Sequence, residues 1–260
     1  MTTQYVSQTQ YGKNEDFALQ VSRGQIQGHT SFQILGYNAN VDQVWIPIWA
    51  DGTLTFPSAA LVMKVSSTDA ADTSAGAGAR TVLVSGLDAN YLQISETVTL
   101  NGQTAVNTVN SYLAINSFIV TTAGANGTAS GDIYIGSGVV TAGVPATAYN
   151  FIPTGWNFNQ TAAYTVPAGY TAYVPYSRLT FAQASGTNAV WGRITVTGTN
   201  GVKMATVSAV VNNGIVEFNP KYPVAVAEKT RIVAEAKGTA NDNYVATVIQ
   251  VILVKNSTGY

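Results

Sequence analysis

Between Leu92 and Leu100 the chain alternates: Leu92, Ile94, Val98 and Leu100 are apolar, and Gln93, Ser95, Thr97 and Thr99 between them are polar. A period of two belongs to a strand with one buried and one wet face, because successive side chains of extended backbone point to opposite sides. Asn101-Gly102 follows at once, a dipeptide that accepts positive φ at both corners of a type I′ turn. A two-residue loop fixes register, so the pattern predicts a hairpin with Leu100 facing Gln103, Val98 facing Ala105 and Glu96 facing Asn107. Glu96 interrupts the apolar stripe. Either a strand end or bulge turns its carboxylate outward, or it is buried and held by Asn107 or Arg80, since an unpaired internal charge is too costly. Neither reading makes it catalytic.

The same grammar runs through the rest of the chain. Short segments rich in aromatic and branched residues predict strands at FALQVSR (17–23), TSFQILGY (30–37) and QVWIPIW (43–49). Asp51-Gly52 marks a turn, and PSAALVMKV (57–65) predicts a strand preceded by one helical turn. SSTDAADTSAGAGA (66–79) reads as a loop, with Arg80 leading into a further strand. YLAINSFIVTT (112–122), GDIYIGSG (131–138), the two arms around Pro167-Ala168-Gly169, VWGRITVTG, VKMATVSAVV, GIVEF and TRIVAEAK complete the series. Four Asn-Gly pairs punctuate it, and helical periodicity is almost absent. Residues 139–155 carry Gly, Pro and Thr with weak alternation, which places a domain boundary near residue 150. The expected fold is therefore all-β: two antiparallel β-sandwich, jelly-roll-like domains over 17–150 and 151–260, preceded by an N-terminal arm over 1–16.

The final segment, YVATVIQVILV (244–254), is apolar on both faces. Val245, Ile249, Val251 and Leu253 share one side; Val248, Ile252 and Val254 share the other. Such a strand needs a second sheet over one face and a further cover over the other, supplied by the first domain or by a neighbouring subunit. Val245, Ile249, Val251 and Leu253, with Tyr5 and Tyr11 of the arm, are the candidate interface residues.

Charge limits the partners. Only 10% of residues are charged, against about 25% in ordinary domains, while the apolar share of 46% is usual. Thr, Ser, Asn, Gln and Gly fill the difference. Uncharged hydrogen-bonding groups are easier to desolvate than ions when surfaces meet, which points to extensive contact between subunits. The net charge of −1 and the lack of any basic run argue against a nucleic-acid partner. With no cysteine there is no disulfide framework, thiolate nucleophile or Cys-based zinc site. The opening MTTQYVSQTQYGKNEDF lacks a signal peptide's basic head and apolar core, and no window is long enough for a membrane span. The expectation is synthesis in a cytoplasm and use without export through the secretory route, with no membrane partner.

Candidate chemistry is sparse. His29 is the single histidine, and a metal site or Ser-His triad needs more partners, so a local hydrogen-bonding role is expected. Asp69 and Asp72 could touch a cation, but no calcium-loop ligand ladder surrounds them and a solvated loop is expected. Gly76-Ala77-Gly78 precedes a strand, whereas a phosphate cradle opens a helix. Glu15, Asp16, Asp88, Glu96, Asp132, Glu217, Glu228 and Glu235 show no spacing that favours an acid pair for glycoside cleavage. Trp45, Trp49, Trp156 and Trp191 are candidates for a sugar platform, with core or interface the expected role. The reading is of a protein that is not an enzyme and has no catalytic residue, cofactor or metal.

GKNEDFALQVSRGQIQGH, DTSAGAGARTVLVSGLDANYLQISETVTLNG, TTAGANGTASGDIYIGSG and YTVPAGYTAY together resemble segments of a family of structural proteins of tailed bacteriophages, notably those of aquatic bacteria. The resemblance spans residues 13 to 176. It implies a non-enzymatic virion component assembled in the host cytoplasm. The favoured form is a capsid cement or decoration protein that oligomerises, expected as a trimer, on the major capsid protein or another virion protein. The alternative is a tail, baseplate or spike component acting as a host-glycan-binding adhesin.

Overall fold

The computed structural model of the chain describes residues 15–182, 189–211 and 214–256, with the backbone alone over 206–211. Tyr5 and Tyr11 lie outside the described residues. FALQVSR, expected as a strand, is instead a helix, α1 (Phe17–Ser22). The Asp16 carboxylate accepts from the backbone N–H of Ala18 at 2.9 Å and Leu19 at 3.2 Å. It thereby satisfies two of the donors that a first helical turn leaves free. The remaining described elements are strands. β1 (His29–Val41), β2 (Ile46–Pro47), β3 (Leu61–Ser67) and β4 (Ala79–Leu87) come first. β5 (Gln93–Thr99), β6 (Val106–Tyr112), β7 (Ala114–Ala123), β8 (Ile133–Thr141) and β9 (Val144–Ile152) follow. Next are β10 (Ala163–Thr165), β11 (Tyr170–Ala182), β12 (Val190–Thr197) and β13 (Lys203–Val211). β14 (Gly214–Phe218), β15 (Val224–Val226), β16 (Arg231–Gly238) and β17 (Asn243–Lys255) end the described chain.

All strand pairings are antiparallel, so the all-β expectation stands. The strands form four sheets: β1-β17-β11-β14 with β15 beside β11; β10-β16-β12-β13 with β2 beside β16; β6-β3-β8-β9; and β5-β4-β7. The first two enclose one apolar cluster, in which Ile34, Phe181 and Ile249 meet Ile194, Ile232 and Ala234. The last two enclose another, in which Met63, Ile133 and Ile135 meet Val82, Val98 and Phe118. These sheets hold five, five, four and three strands, unlike the paired four-stranded sheets of a jelly roll.

The division at residue 150 does not follow the sheets. β1 pairs with β17 from His29↔Val254 to Val41↔Asn243, and β2 pairs with β16. The unit over 61–152 is thus inserted between β2 and β10, and the expected linker at 139–155 contains β9. Trp49, Leu54, Tyr134, Phe151, Ala163 and Val233 form a third cluster that joins the units. In it Phe151 stacks on Tyr134 at 5.7 Å and meets Trp49 edge-on at 5.5 Å.

The expected hairpin at Asn101-Gly102 also fails. β5 pairs with β4, and β6 pairs with β3 in the opposite sheet, so the turn crosses between layers. Only Gly102 of the pair has positive φ, at 57°, whereas a type I′ turn needs two such residues. Glu96 sits opposite Val84 and its carboxylate spans the layers, accepting from the N–H of Val109 at 2.7 Å and Asn110 at 2.9 Å. Its partners are backbone amides, not Asn107 or Arg80.

The 66–79 loop is organised by Asp72, which is fully buried. Its carboxylate accepts from Ser67 Oγ (2.6 Å) and from the N–H of Ala79 (2.7 Å), Ser130 (2.9 Å) and Gly131 (2.9 Å). Its carbonyl accepts from Gly102 N–H at 2.8 Å. One residue therefore ties the end of β3, the start of β4, the entry to β8 and the β5–β6 crossing. Gly78 is required here, because a Cβ would stand 2.1 Å from Asp72 Oδ1 and 2.3 Å from Ser130 Oγ. Asp72→Ala strands four buried or half-buried donors, each worth about 1–3 kcal/mol when unmet. The expected loss is on the order of 4 kcal/mol, read as a lower urea midpoint with unchanged slope; Asp72→Asn should lose less. An unshifted midpoint in Asp72→Ala would remove the residue from this role.

Candidate functional site

β17 runs through the centre of its sheet and has two apolar faces. Val245, Ile249, Val251 and Leu253, expected at an interface, are 0–4% exposed and face the second sheet across the shared core. They are core residues of a single chain. The opposite face holds Val248, Ile252 and Val254, all half-buried. Register places Leu35 and Arg178 beside Val248, Tyr173 beside Ile252, and Tyr37 and Thr180 beside Ala246. Ile215 lies beyond Thr180 on β14. Tyr37, Tyr244 and Ile215 are 40%, 44% and 59% exposed. Along this stretch of the face, Arg178 and Glu217 sit opposite each other in register, and Tyr176 donates to Glu217 Oε1 at 2.7 Å. α1 covers one corner, with Ala18 near Gln33, Pro175 and Ile252. The result is a broad sheet face of aromatic, aliphatic and amide side chains with little charge.

The outer side of the second sheet differs. Arg193 pairs with Glu235 at 2.8 Å, and Lys203 also reaches that carboxylate. The Arg193 guanidinium lies 4.0 Å from the Trp45 ring centre, and Lys237 stands between Trp45 and Trp191 at 6.0 and 5.3 Å. Cations occupy these indole faces. Trp49 is fully buried, and Trp156 is 47% exposed and edge-on to Phe158 at 5.5 Å. The four tryptophans form no common platform.

The acids singled out in the sequence are held separately. Glu15 pairs with Arg23, Asp16 caps α1, and Asp88 accepts from the N–H of Asn90 and Leu92. Glu228 accepts from Gly169 N–H, and Asp132 accepts from the N–H and hydroxyl of Thr154. Asp69 accepts from Ala71 N–H at 2.7 Å within its own loop. His29 Nδ1 lies 3.0 Å from the Gln27 carbonyl, and its ring meets Phe17 edge-on, which is the local role expected. Among the described residues no three His, Cys, Asp or Glu side chains gather as a metal site, and no helix is long and apolar enough to cross a membrane.

Sequence reading missed one pair. Asp51 is half-buried beside the cluster that joins the units, with Tyr134 Oη 3.5 Å from its carboxylate and Asp132 nearby. Burial, then the Asp132 charge, push its carboxyl above the ordinary 3.8, against the opposing effect of the tyrosine hydroxyl. No local signal links Asp51 to Asp132, which lies some eighty residues on, just before β8.

No family model matches this chain, and no curated protein matches it. Among solved structures, the VP2 subviral particle of infectious bursal disease virus is 9% identical, over 89% of this chain and 73% of that one, with a TM-score of 0.25. The structure of the Gx strain of the same virus is 10% identical over 89% and 72%, with a TM-score of 0.22. Both neighbours are viral particle proteins, and likenesses this faint bear on neither the fold nor the role of this chain.

Asp51 gives a testable sign. A carboxyl raised on folding binds its proton more tightly in the native state, so stability falls as pH rises from the unfolded value through the folded one. Asp51→Asn is expected to raise the melting temperature at neutral pH, with the gain vanishing below pH 3.8. Thermal melts across that range check it; a destabilised variant at neutral pH would reverse the assignment.

Proposed function

We propose that this chain is a non-enzymatic structural protein of a phage particle, acting as a cement or decoration protein on the head shell. The observation that carries the reading is the outer face of the β1-β17-β11-β14 sheet, where Leu35, Tyr37, Tyr173, Ile215, Val248 and Ile252 are brought together with a single Arg178–Glu217 pairing. Uncharged, aromatic-bearing surface of this kind suits burial against another protein. The resemblance of residues 13 to 176 to tailed-phage structural proteins supports the same reading. So do the separate partners that hold Glu15, Asp88, Asp132 and Glu228, among the acids singled out in the sequence.

In this reading the second cover of β17 is a neighbouring copy or the major capsid protein. Symmetry repeats one modest contact many times, so weak interfaces sum to a firm brace. Tyr5 and Tyr11 take part from the arm, with the trimer as the expected unit. Light scattering of the full chain tests it. A trimer is expected, and Val248→Lys should weaken it at least tenfold, about 1.4 kcal/mol, with circular dichroism unchanged. A monodisperse monomer that leaves purified heads undecorated would overturn the proposal.

A further inference from the structure

A cleft of about 680 Å³ lies between the two units. Its floor is the outer face of the β5-β4-β7 sheet, and the Thr30–Leu35 end of β1 forms the facing wall. The 158–164 segment and Tyr170 close the remaining side. None of the lining residues is charged. On the floor, Ser95 pairs in register with Ser85, and Ser85 with Ser117, so three hydroxyls stand in a row across three strands at steps of about 5 Å. Among the described residues, no hydrogen-bond partner accompanies the side chains of Gln93, Ser95 or Ser117. By contrast, Asn116, Asn159 and Thr161 spend theirs on Thr165, Phe118 and Asn150.

Tyr164 supplies the second observation. Its side chain is only 8% exposed and its ring packs on Phe32 at 4.7 Å between centres, yet its hydroxyl meets no described partner and it lines the cleft. Burial holds that phenol in its neutral, donating form. The hydroxyl opens onto the cleft and is free to donate to whatever occupies it.

We propose that the cleft binds a neutral oligosaccharide, hydrogen-bonded to the serine row and to Tyr164, with its C–H faces against Phe32 and Phe158. A charged ligand would lose its hydration and find no counter-charge. A wholly apolar one would leave the serines and Tyr164 unmet. The volume lies within the range of about 300–1,000 Å³ typical of small-ligand sites. The rival occupant is an extended peptide added along β1, where Gln33 and Leu35 turn their backbone groups away from β17; such a strand makes no use of the serine row.

The test titrates the full chain with maltotriose, cellotriose and triacetylchitotriose, read by calorimetry and amide chemical shifts. At least one sugar is expected to bind saturably. Tyr164→Phe, which keeps the ring, should weaken it about tenfold, and Ser95→Trp, which fills the floor from an exposed position, should abolish it; the melting temperature should stay unchanged in both. The proposal is overturned if none of the three binds at millimolar concentration, or if affinity is unaltered by Tyr164→Phe. It is overturned equally if a peptide of residues 1–12 shifts the β1 amides while the sugars shift none.

Discussion

The inserted unit depends on a carboxylate with no counter-charge among its contacts. Asp72 is buried among one hydroxyl and three backbone amides, so its charge is met by donors that also define where three segments sit, and its carbonyl holds a fourth. Hydrogen bonds to an ionised acceptor are about twice as strong as neutral ones, and here each also fixes a strand end. With the start of β4 and the entry to β8 pinned, the two sheets of this unit can close over Met63, Val82, Phe118 and Ile133. The loop's small residues follow from this. Gly78 has no room for a side chain beside the carboxylate, and a Gly/Ala/Ser composition that suggests slack in fact permits close approach.

Strand content was legible because alternation is local. Residues 30–37, 61–65, 93–99, 112–122 and 244–254 announce their strands through their own spacing. Partner choice was not legible. Asn101-Gly102 carries the composition of a tight hairpin, yet β5 finds β4 and β6 finds β3, since each side of the turn has a better-matched apolar face elsewhere. FALQVSR has a strand's composition, but Asp16 caps it into a helix. The pairing of β1 with β17 joins residues more than two hundred positions apart, and no neighbour-based signal reports such a contact. For the same reason the domain boundary could not be read from residues 139–155.

The candidate surfaces divide likewise. Two apolar faces on the last strand were evident from its sequence, but which one faces the core depends on the strands placed against it. The core took Val245, Ile249, Val251 and Leu253; the side left available is that of Val248, Ile252 and Val254. The cleft was invisible in the sequence, because Thr30–Leu35, Ser85, Ser117 and Tyr164 come from distant parts of the chain and share only their lack of charge.

The pairing of β1 with β17 at the edge of the first sheet has a mechanical consequence. His29 lies opposite Val254, and β1 runs antiparallel to β17 from there, so tension applied to these two adjacent strand ends peels the pair apart one rung at a time. Peeling loads each rung in turn, whereas shearing loads all of them together. Pulled at those strand ends the protein would open at low force, while the same protein held through the flanks of its sheets would resist stretching as a unit.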